Sequence, residues 1–407
     1  MSTQGSGRKW LGFAVLMLAG ITINVSQLKV VPINNDIVTE LDVDLTSTAW
    51  LTSVFTIAGI FLALPGSGIM TRVGPKRMLV ALLACLLAGN LLGILGFAVS
   101  SYVVVLVSRI IEGISCALII PCGLSLLAFW FGGMSSMGLA TGLFTIANPV
   151  ANFVVMNVSL PILVTTGSVT GCWWFVVILA LVSLVGSVAL VDDGTSAGEG
   201  PDASEKVSIA DATINNRPLV TICIAMFFLS FCLMGVVTDY PTIFTVAHGL
   251  DQVTANFYTS LNGFIGIPAA IVLGWVIGKT GKPFTVALVG AIGTLLVDLG
   301  LLWLNPATYL LNVMAASIFT GGFAVTAFFE ITPQLAERKE YVPLASGALN
   351  TFYYLGIFLS TPCLTALSAD GTDWTVPALL MACSAAVLCV LVVVTRHLAE
   401  REGIEVH

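Results

Sequence analysis

Two cationic side chains stand inside long apolar stretches of this 407-residue chain, Lys29 and Arg109. Burying an ammonium or a guanidinium away from water costs on the order of several kcal/mol. A charged residue in such a position is therefore first considered as a functional residue. The chemistry that they offer is recognition of negative charge. Glu112 follows Arg109 by three residues and falls on nearly the same face of a helix. Arg109 therefore serves in substrate recognition or proton coupling, or it belongs to a structural ion pair with Glu112.

Carboxyl groups inside apolar stretches can bind a proton and release it when their exposure to water changes. Three residues are candidates for this role, namely Glu112, Asp239 and Glu330. Each of them can equally be a structural polar residue. A fourth carboxyl, Asp298, is expected to reach the surface or to pair locally.

Several kinds of chemistry have no matching motif. The nine cysteines form no C-x-x-C pair, and the three histidines lie outside the middle of any apolar run, so we expect no metal. A phosphate-binding G-x-x-x-x-G-K-[ST] motif is absent, as is a nucleophile with a paired base. We therefore expect no enzyme activity, no cofactor and no nucleic-acid partner.

The composition dictates the elements that must position these residues. Hydrophobic residues make up 57% of the chain and charged residues 9%, and the mean hydropathy is +1.02. A soluble protein carries about a quarter charged residues, so most of this surface must face lipid. Membrane-spanning backbone must satisfy its own hydrogen bonds, which predicts an all-α fold. Apolar runs place twelve spans at 10–31, 46–66, 78–98, 102–126, 137–163, 172–190, 218–244, 253–277, 284–303, 307–331, 343–368 and 374–396.

The long polar stretch 191–217 divides the spans six plus six. We predict an N-terminal six-helix bundle over 1–190, a cytoplasmic linker over 191–217 and a C-terminal six-helix bundle over 218–407. The two halves share short matches, such as LATGL at 139–143 and LASGA at 344–348. Such duplication is typical of transporters. Tryptophans near span ends are expected to be interfacial anchors: Trp10, Trp173, Trp174, Trp303 and Trp374.

The basic residues predict the orientation. All lysines and arginines except Lys29 and Arg109 fall in the termini or in connections that share one side. The opposite connections carry acidic residues and no basic ones. By the positive-inside rule, both termini and the linker are cytoplasmic, in a bacterial-type plasma (inner) membrane.

Two connections carry related motifs. Residues 67–77 read SGIMTRVGPKR between spans 2 and 3, and residues 274–282 read GWVIGKTGK between spans 8 and 9. They resemble the G-x-L-x-D-R-x-G-x-R-R signature of the major facilitator superfamily, although Thr71 and Gly278 replace its aspartate. The resemblance implies two six-helix bundles about a cavity, alternating access and a gating role for these loops. The gating candidates are Arg72, Gly74, Lys76, Arg77, Gly274, Lys279 and Gly281; the alternative is that the basic ones only fix topology.

Span 4 carries the segment Arg109-Ile-Ile-Glu112-Gly113-Ile-Ser115, which resembles the R-x-x-x-G-x-G motif of the same family. Spans 1, 4, 7 and 10 line the cavity in that family, so the resemblance implies that Asn24, Gln27 and Lys29 face it. Lys29 can instead extend to the outer surface, since it lies three residues before Pro32.

Span 5 lacks the glycine pattern of the drug/proton antiporters in the family. It carries Asn148 and Asn152 one turn apart, which offer hydrogen bonds to a substrate or to neighbouring helices. The segment QLKVVP at 27–32 loosely resembles the nitrate/nitrite and cyanate transporter branches.

These features together predict a monomeric secondary transporter. We expect it to move a small anionic solute, coupled to protons. Two alternatives stay open. One is a facilitator or exporter of a neutral or cationic compound, and the other is a transporter-like receptor that moves nothing.

Overall fold

The structure, a computed structural model, describes residues 3–192 and 213–404, except 67, 68, 70–72, 133, 135, 337, 339 and 340. Helices dominate this part of the chain, and no β-strand occurs in it. Among the described residues, twelve helices are long and apolar enough to cross a membrane. They are α1 (Gly7–Leu41), α2 (Leu45–Leu62), α3 (Pro75–Ala98), α4 (Tyr102–Phe131), α5 (Leu139–Thr166), α6 (Thr170–Leu190), α7 (Arg217–Ala247), α8 (Gln252–Ile277), α9 (Pro283–Trp303), α10 (Tyr309–Leu335), α11 (Val342–Ala366) and α12 (Thr375–Arg401). The predicted all-α fold with twelve spans is confirmed.

The chain divides into two compact units. Unit 1 is Met1–Val43 with Val54–Glu205, and unit 2 is Asp44–Ser53 with Lys206–His407. The first part of α2 thus belongs to unit 2, whereas the sequence placed all of 1–190 in one bundle. Most of the predicted linker lies outside the described residues, so the domain boundaries stay a prediction.

Breaks in two helices shape unit 1. Within α1, regular helix runs over Thr3–Leu28 and gives way to a 3-10 turn at Val31–Ile33 before helix resumes at Asn34–Leu41. Pro32 lies in that turn, and a proline has no N–H to donate to the carbonyl four residues earlier. Within α2, a second 3-10 turn covers Val54–Thr56.

Small residues bring the helices of unit 1 close together. A Cβ placed on Gly89 of α3 would lie 2.7 Å from Glu112 of α4, and one on Gly96 would lie 2.7 Å from Val105. A Cβ on Gly113 would overlap the main-chain carbonyl of Phe55, in the break of α2. Helices in membranes pack closely through such small residues. The glycine of the α4 motif therefore makes room for backbone.

Unit 2 has an aromatic core around α7. Tyr240 and Phe244 stack with ring centroids 5.3 Å apart, and Phe244 lies 5.1 Å from the ring of Tyr309. Two π-helical stretches interrupt its helices, at Ile243–Ala247 and at Ala316–Ala324. A π-helical stretch inside an α-helix is uncommon and often marks a functional site.

Asn216 fixes the start of α7. Its Oδ1 accepts from the Leu219 N–H at 2.9 Å, and its Nδ2 donates to the Leu335 carbonyl at 2.7 Å. We expect Asn216→Ala to lower the free energy of unfolding in detergent by about 2 kcal/mol, because the cap is lost and a buried carbonyl loses its donor. Asn216→Ser keeps a capping oxygen and should lose less. Chemical denaturation measures both, and an alanine variant as stable as the wild type would contradict the assignment.

Candidate functional site in unit 1

A cluster of three charged side chains lies inside unit 1. The Nζ of Lys29 is 2.9 Å from Oε2 of Glu112 and 3.0 Å from its Oε1. The Nη1 of Arg109 is 2.5 Å from the same Oε2. Lys29 is 1% exposed, and Arg109 and Glu112 are fully buried. The sequence-predicted pair of Arg109 and Glu112 is present, and Lys29 joins it from α1.

Arg109 also holds the broken end of α1. Its Nη1 donates to the Ser26 carbonyl at 2.7 Å, and its Nη2 donates to the Gln27 carbonyl at 2.8 Å. Both carbonyls lie in the last turn of the helix Thr3–Leu28, where a helix leaves carbonyls without partners of its own. The guanidinium also lies 4.5 Å from the ring centroid of Phe55, in the break of α2. A planar fork suits several acceptors at once, which an ammonium group cannot match.

Neutral side chains complete the cluster. The Nζ of Lys29 donates to Oδ1 of Asn90 at 2.5 Å and lies 4.3 Å from the ring centroid of Trp173. Ser26 donates its hydroxyl to Glu112 at 2.7 Å. Sequence reasoning missed Asn90, a lone polar residue in the apolar α3. It took Trp173 for an interfacial anchor, which is wrong because the ring is fully buried and packs 4.7 Å from Phe97.

The charges in this cluster do not cancel. With all three groups ionised, Glu112 balances one of the two cations and leaves a net charge of +1 among buried side chains. Isolated charge in a low-dielectric interior attracts a counter-ion strongly. The arrangement can therefore bind an anion.

Four candidate side-chain amides lie on α1 and α5 of unit 1. Asn148 of α5 donates to Oδ1 of Asn24 at 2.8 Å; Asn148 is exposed and Asn24 is partly exposed. Gln27 and Asn152 are 6% and 4% exposed, and no hydrogen-bond partner for Oδ1 of Asn152 is found in the described chain. Gln27 contacts the cluster through its main-chain carbonyl, which accepts from Arg109, while its side-chain oxygen accepts from the Cys116 thiol at 3.6 Å. Asn24 and Gln27 thus place two amides on the helix whose end Arg109 holds.

The carboxyl candidates of unit 2 differ in burial. Asp239 is 4% exposed, and its Oδ1 accepts from the Thr238 hydroxyl at 3.4 Å. Glu330 has an exposed side chain on α10. Asp298 is fully buried, so the expectation that it reaches the surface is wrong. In the described part of the chain, no group of three His, Cys, Asp or Glu side chains is arranged to hold a metal ion.

Comparison with known proteins decides the family. The family model described as Major Facilitator Superfamily matches residues 11–361. This chain belongs to the Major Facilitator Superfamily. Membership identifies a multi-pass membrane protein of a transporter family, which accounts for the twelve spans. The two loop motifs and the α4 motif pointed to this family correctly.

The chain is similar to proteins whose names give two different functions, a sensor and a transporter. The chain is 33% identical over 177 residues to the membrane sensor protein UhpC of Salmonella typhimurium, which covers 40% of this chain and 37% of that protein. It is 24% identical over 385 residues to a probable galactarate/D-glucarate transporter, GudP, of Bacillus subtilis, which covers 84% of this chain and 82% of that protein. The resemblance to the nitrate/nitrite and cyanate branches stays a prediction.

A solved structure supports the Major Facilitator fold. The bacterial homolog of the human lysosomal transporter Spinster, in an inward-facing and occupied conformation, superposes with a TM-score of 0.70. The match covers 95% of this chain and 96% of that chain, at 12% sequence identity. At that identity the likeness concerns the fold alone.

The structure describes the two Major Facilitator loop motifs except for residues 67, 68 and 70–72. Gly74 has φ 86° and precedes α3, whereas Gly281 has φ 65° and follows the helix Gln252–Thr280. Glycine is the residue that adopts such backbone without strain. Lys76 is partly exposed and Arg77 is exposed, while Lys279 lies 5.0 Å from the ring centroid of Trp275. Gly274 lies within the helix Gln252–Thr280, and Arg72 lies outside the described residues.

Proposed function

We propose that this chain is a secondary active transporter that moves a small anionic solute across the plasma (inner) membrane by alternating access, coupled to protons. The observation that carries the proposal is the buried cluster of Lys29, Arg109 and Glu112 in unit 1, with its unbalanced positive charge. An uncompensated cation inside a membrane protein is costly, and binding of an anion beside it would offset that cost.

Each residue of the proposed site has a separate role in binding the solute. Arg109 positions α1 through the Ser26 and Gln27 carbonyls and supplies fixed positive charge. Lys29 has a flexible stem and a compact charge, so it can turn from Glu112 to a bound anion. The amides of Asn24 and Asn148, with Gln27 and Asn152, donate hydrogen bonds to hydroxyl or carboxylate oxygens of the solute.

One relative suggests which anions to try first. The Bacillus subtilis protein is named for galactarate and D-glucarate, and it aligns with most of this chain. Both compounds are dicarboxylates with several hydroxyl groups. Such a solute suits a site with a net positive charge and several side-chain amides.

A receptor is the second candidate function. The stretch shared with UhpC belongs to a protein named as a membrane sensor. A sensor of this kind would bind the anion without moving it. Uptake by purified protein in liposomes distinguishes the two functions, because only a transporter accumulates solute inside.

The test of anion recognition is a thermal-shift screen of the purified protein in detergent. A ligand that binds only the folded state raises the apparent unfolding temperature by mass action. We expect hydroxylated mono- and dicarboxylates to raise it and neutral sugars and amines to leave it unchanged. A shift with amines alone would overturn the proposal.

Proton coupling gives a prediction about energy. Glu112, Asp239 and Glu330 are the proposed proton-binding residues, and no nucleotide-binding motif occurs in the sequence. We expect a protonophore to abolish solute accumulation in intact cells, and removal of ATP at a maintained proton gradient to leave it unchanged. An initial uptake rate that is the same with and without the protonophore would identify a facilitator instead.

Orientation gives a further prediction. The basic residues favour cytoplasmic termini and a cytoplasmic 191–217 segment. The two motif loops would lie at the same face and act as gates. We also propose that one copy of the chain suffices for transport. In a background without the exposed Cys363 and Cys383, a cysteine at Ser204 should resist an impermeant thiol reagent on intact cells. A cysteine at Thr372, between α11 and α12, should react and serves as the control. Labelling of the cysteine at Ser204 would reverse the orientation.

A further inference from the structure

Asp298 of α9 lies in the core of unit 2 and has no role in the site of unit 1. The side chain is fully buried, and neither carboxylate oxygen has a hydrogen-bond partner in the described part of the chain. A buried carboxylate without donors or a cation is among the costliest groups that a protein can enclose. The same carboxyl costs far less when it carries a proton.

The polar side chains around Asp298 donate their hydrogen bonds to other acceptors. Cys232 and Tyr240 of α7 are the titratable groups that face it, and Cys389 of α12 lies beyond Cys232. The Tyr240 hydroxyl donates to Oδ1 of Asn312 at 2.5 Å, and the Cys232 thiol donates to the Met381 carbonyl at 3.5 Å. Asn312 donates to the Val297 carbonyl at 2.9 Å. In the described part of the chain, Asp298 is thus left with the Cys232 thiol as its neighbouring donor, and a thiol is a weak one.

A cavity reaches the residues that enclose this carboxyl. It has a volume of about 250 Å³ and lies along α9 and α10, with Val297 and Asn312 in its wall and Trp303 and Thr308 at one end. Glycines of α9 let α10 approach closely; a Cβ on Gly300 would lie 2.8 Å from the Asn312 amide. In the orientation proposed above, that end faces outward.

The segment of α10 that follows Asn312 is not a regular α-helix. It is π-helical over Ala316–Ala324 and is tied to α9 by a hydrogen bond of 3.0 Å from Thr294 to Thr320. A π-helix holds an extra residue per turn, so its return to an α-helix would rotate the residues on one side relative to those on the other. Such a rotation would move Asn312 and open Asp298 to the cavity.

We propose that Asp298 is a proton-binding site of unit 2, which carries its proton while α10 covers it and exchanges that proton through the cavity when α10 rearranges. The step is a simple acid dissociation, in which the O–H bond of the carboxyl breaks and the proton passes to water. The proposal does not rest on the identity of the solute or on transport itself.

Infrared spectroscopy of the purified protein in detergent tests this proposal. We expect the spectrum of the wild type minus that of Asp298→Asn at neutral pH to contain a carbonyl band of a neutral, weakly hydrogen-bonded carboxylic acid, which is lost reversibly at alkaline pH. Asp251→Asn is the matched control, since Asp251 is exposed and a hydrogen bond from the Thr254 N–H lowers its pKa. That variant should keep the band.

Every other outcome overturns the proposal. A band that is absent from the wild type would mean that Asp298 is ionised, and a band of unchanged intensity in Asp298→Asn would belong to another carboxyl, such as Asp239. A band that never responds to pH would mark a permanent structural acid. If Asp298→Asn does not fold, Cys232→Ser replaces it, because a hydroxyl facing Asp298 should shift the frequency of the band, and an unshifted band would contradict the assignment.

Discussion

Glu112→Gln should destabilise the protein by about 3–5 kcal/mol, because it leaves Lys29 and Arg109 buried with no counter-charge. Lys29→Gln should cost less, since Arg109 and Glu112 then form a neutral pair. Chemical denaturation in detergent gives both values. The order of the two variants depends on the charge balance of the cluster and would not follow from loss of packing alone.

The surface pair of Arg396 and Glu400 supplies a matched control. Its atoms are 2.9 Å apart, as close as those of Lys29 and Glu112, but its side chains are 50% and 47% exposed. Glu400→Gln should therefore change the free energy of unfolding by about 0.5 kcal/mol or less. A similarly small effect of Glu112→Gln would show that no ionised carboxylate balances the buried cations.

Arg109→Lys should impair anion binding nearly as much as Arg109→Ala, although it keeps the positive charge. The guanidinium serves the Ser26 carbonyl, the Gln27 carbonyl and Glu112 together, and an ammonium cannot reproduce that fork. Each charge-assisted hydrogen bond stabilises the held end of α1 by about 1.5–3 kcal/mol. Because the anion is proposed to bind only when that end is held, losing one such bond predicts about a tenfold or greater loss of affinity.

Titration of the thermal shift with the best anion measures this loss. Both variants must first reach the membrane as folded protein, which size-exclusion chromatography in detergent establishes. Arg396→Lys, on the surface of α12, is the control and should bind like the wild type. An Arg109→Lys variant with wild-type affinity would mean that charge alone matters and that the end of α1 needs no guanidinium.

The positions of the helices were largely predictable from the sequence, because the length and hydrophobicity of a membrane helix are set by the bilayer. The span predicted from residue 102 begins at Tyr102, and the one predicted at 172–190 is observed at Thr170–Leu190. The extension of α1 to Leu41 was missed. Its last turns carry polar residues, and Pro32 indicated a stop where the structure has only a short 3-10 turn.

The candidate site was predictable in part. The spacing of Arg109 and Glu112 placed them on one helix face, which is a local rule. The approach of Lys29 to Glu112 spans 83 residues and depends on how α1 turns at its break, which no local pattern encodes. Asn90 and Trp173 were missed for the same reason, because nothing in their neighbouring residues indicates that they face Lys29.

The central claim is that Lys29, Arg109 and Glu112 give this protein a site for an anion that it transports. Its most direct test is uptake of a radiolabelled anion, chosen by the thermal-shift screen, into proteoliposomes with an imposed proton gradient. We expect the wild type to accumulate the anion, and Lys29→Gln to require a higher concentration for half-maximal uptake while remaining folded. Wild-type proteoliposomes that bind the anion without accumulating it would contradict transport, and a Lys29→Gln variant with unchanged half-maximal concentration would contradict the site.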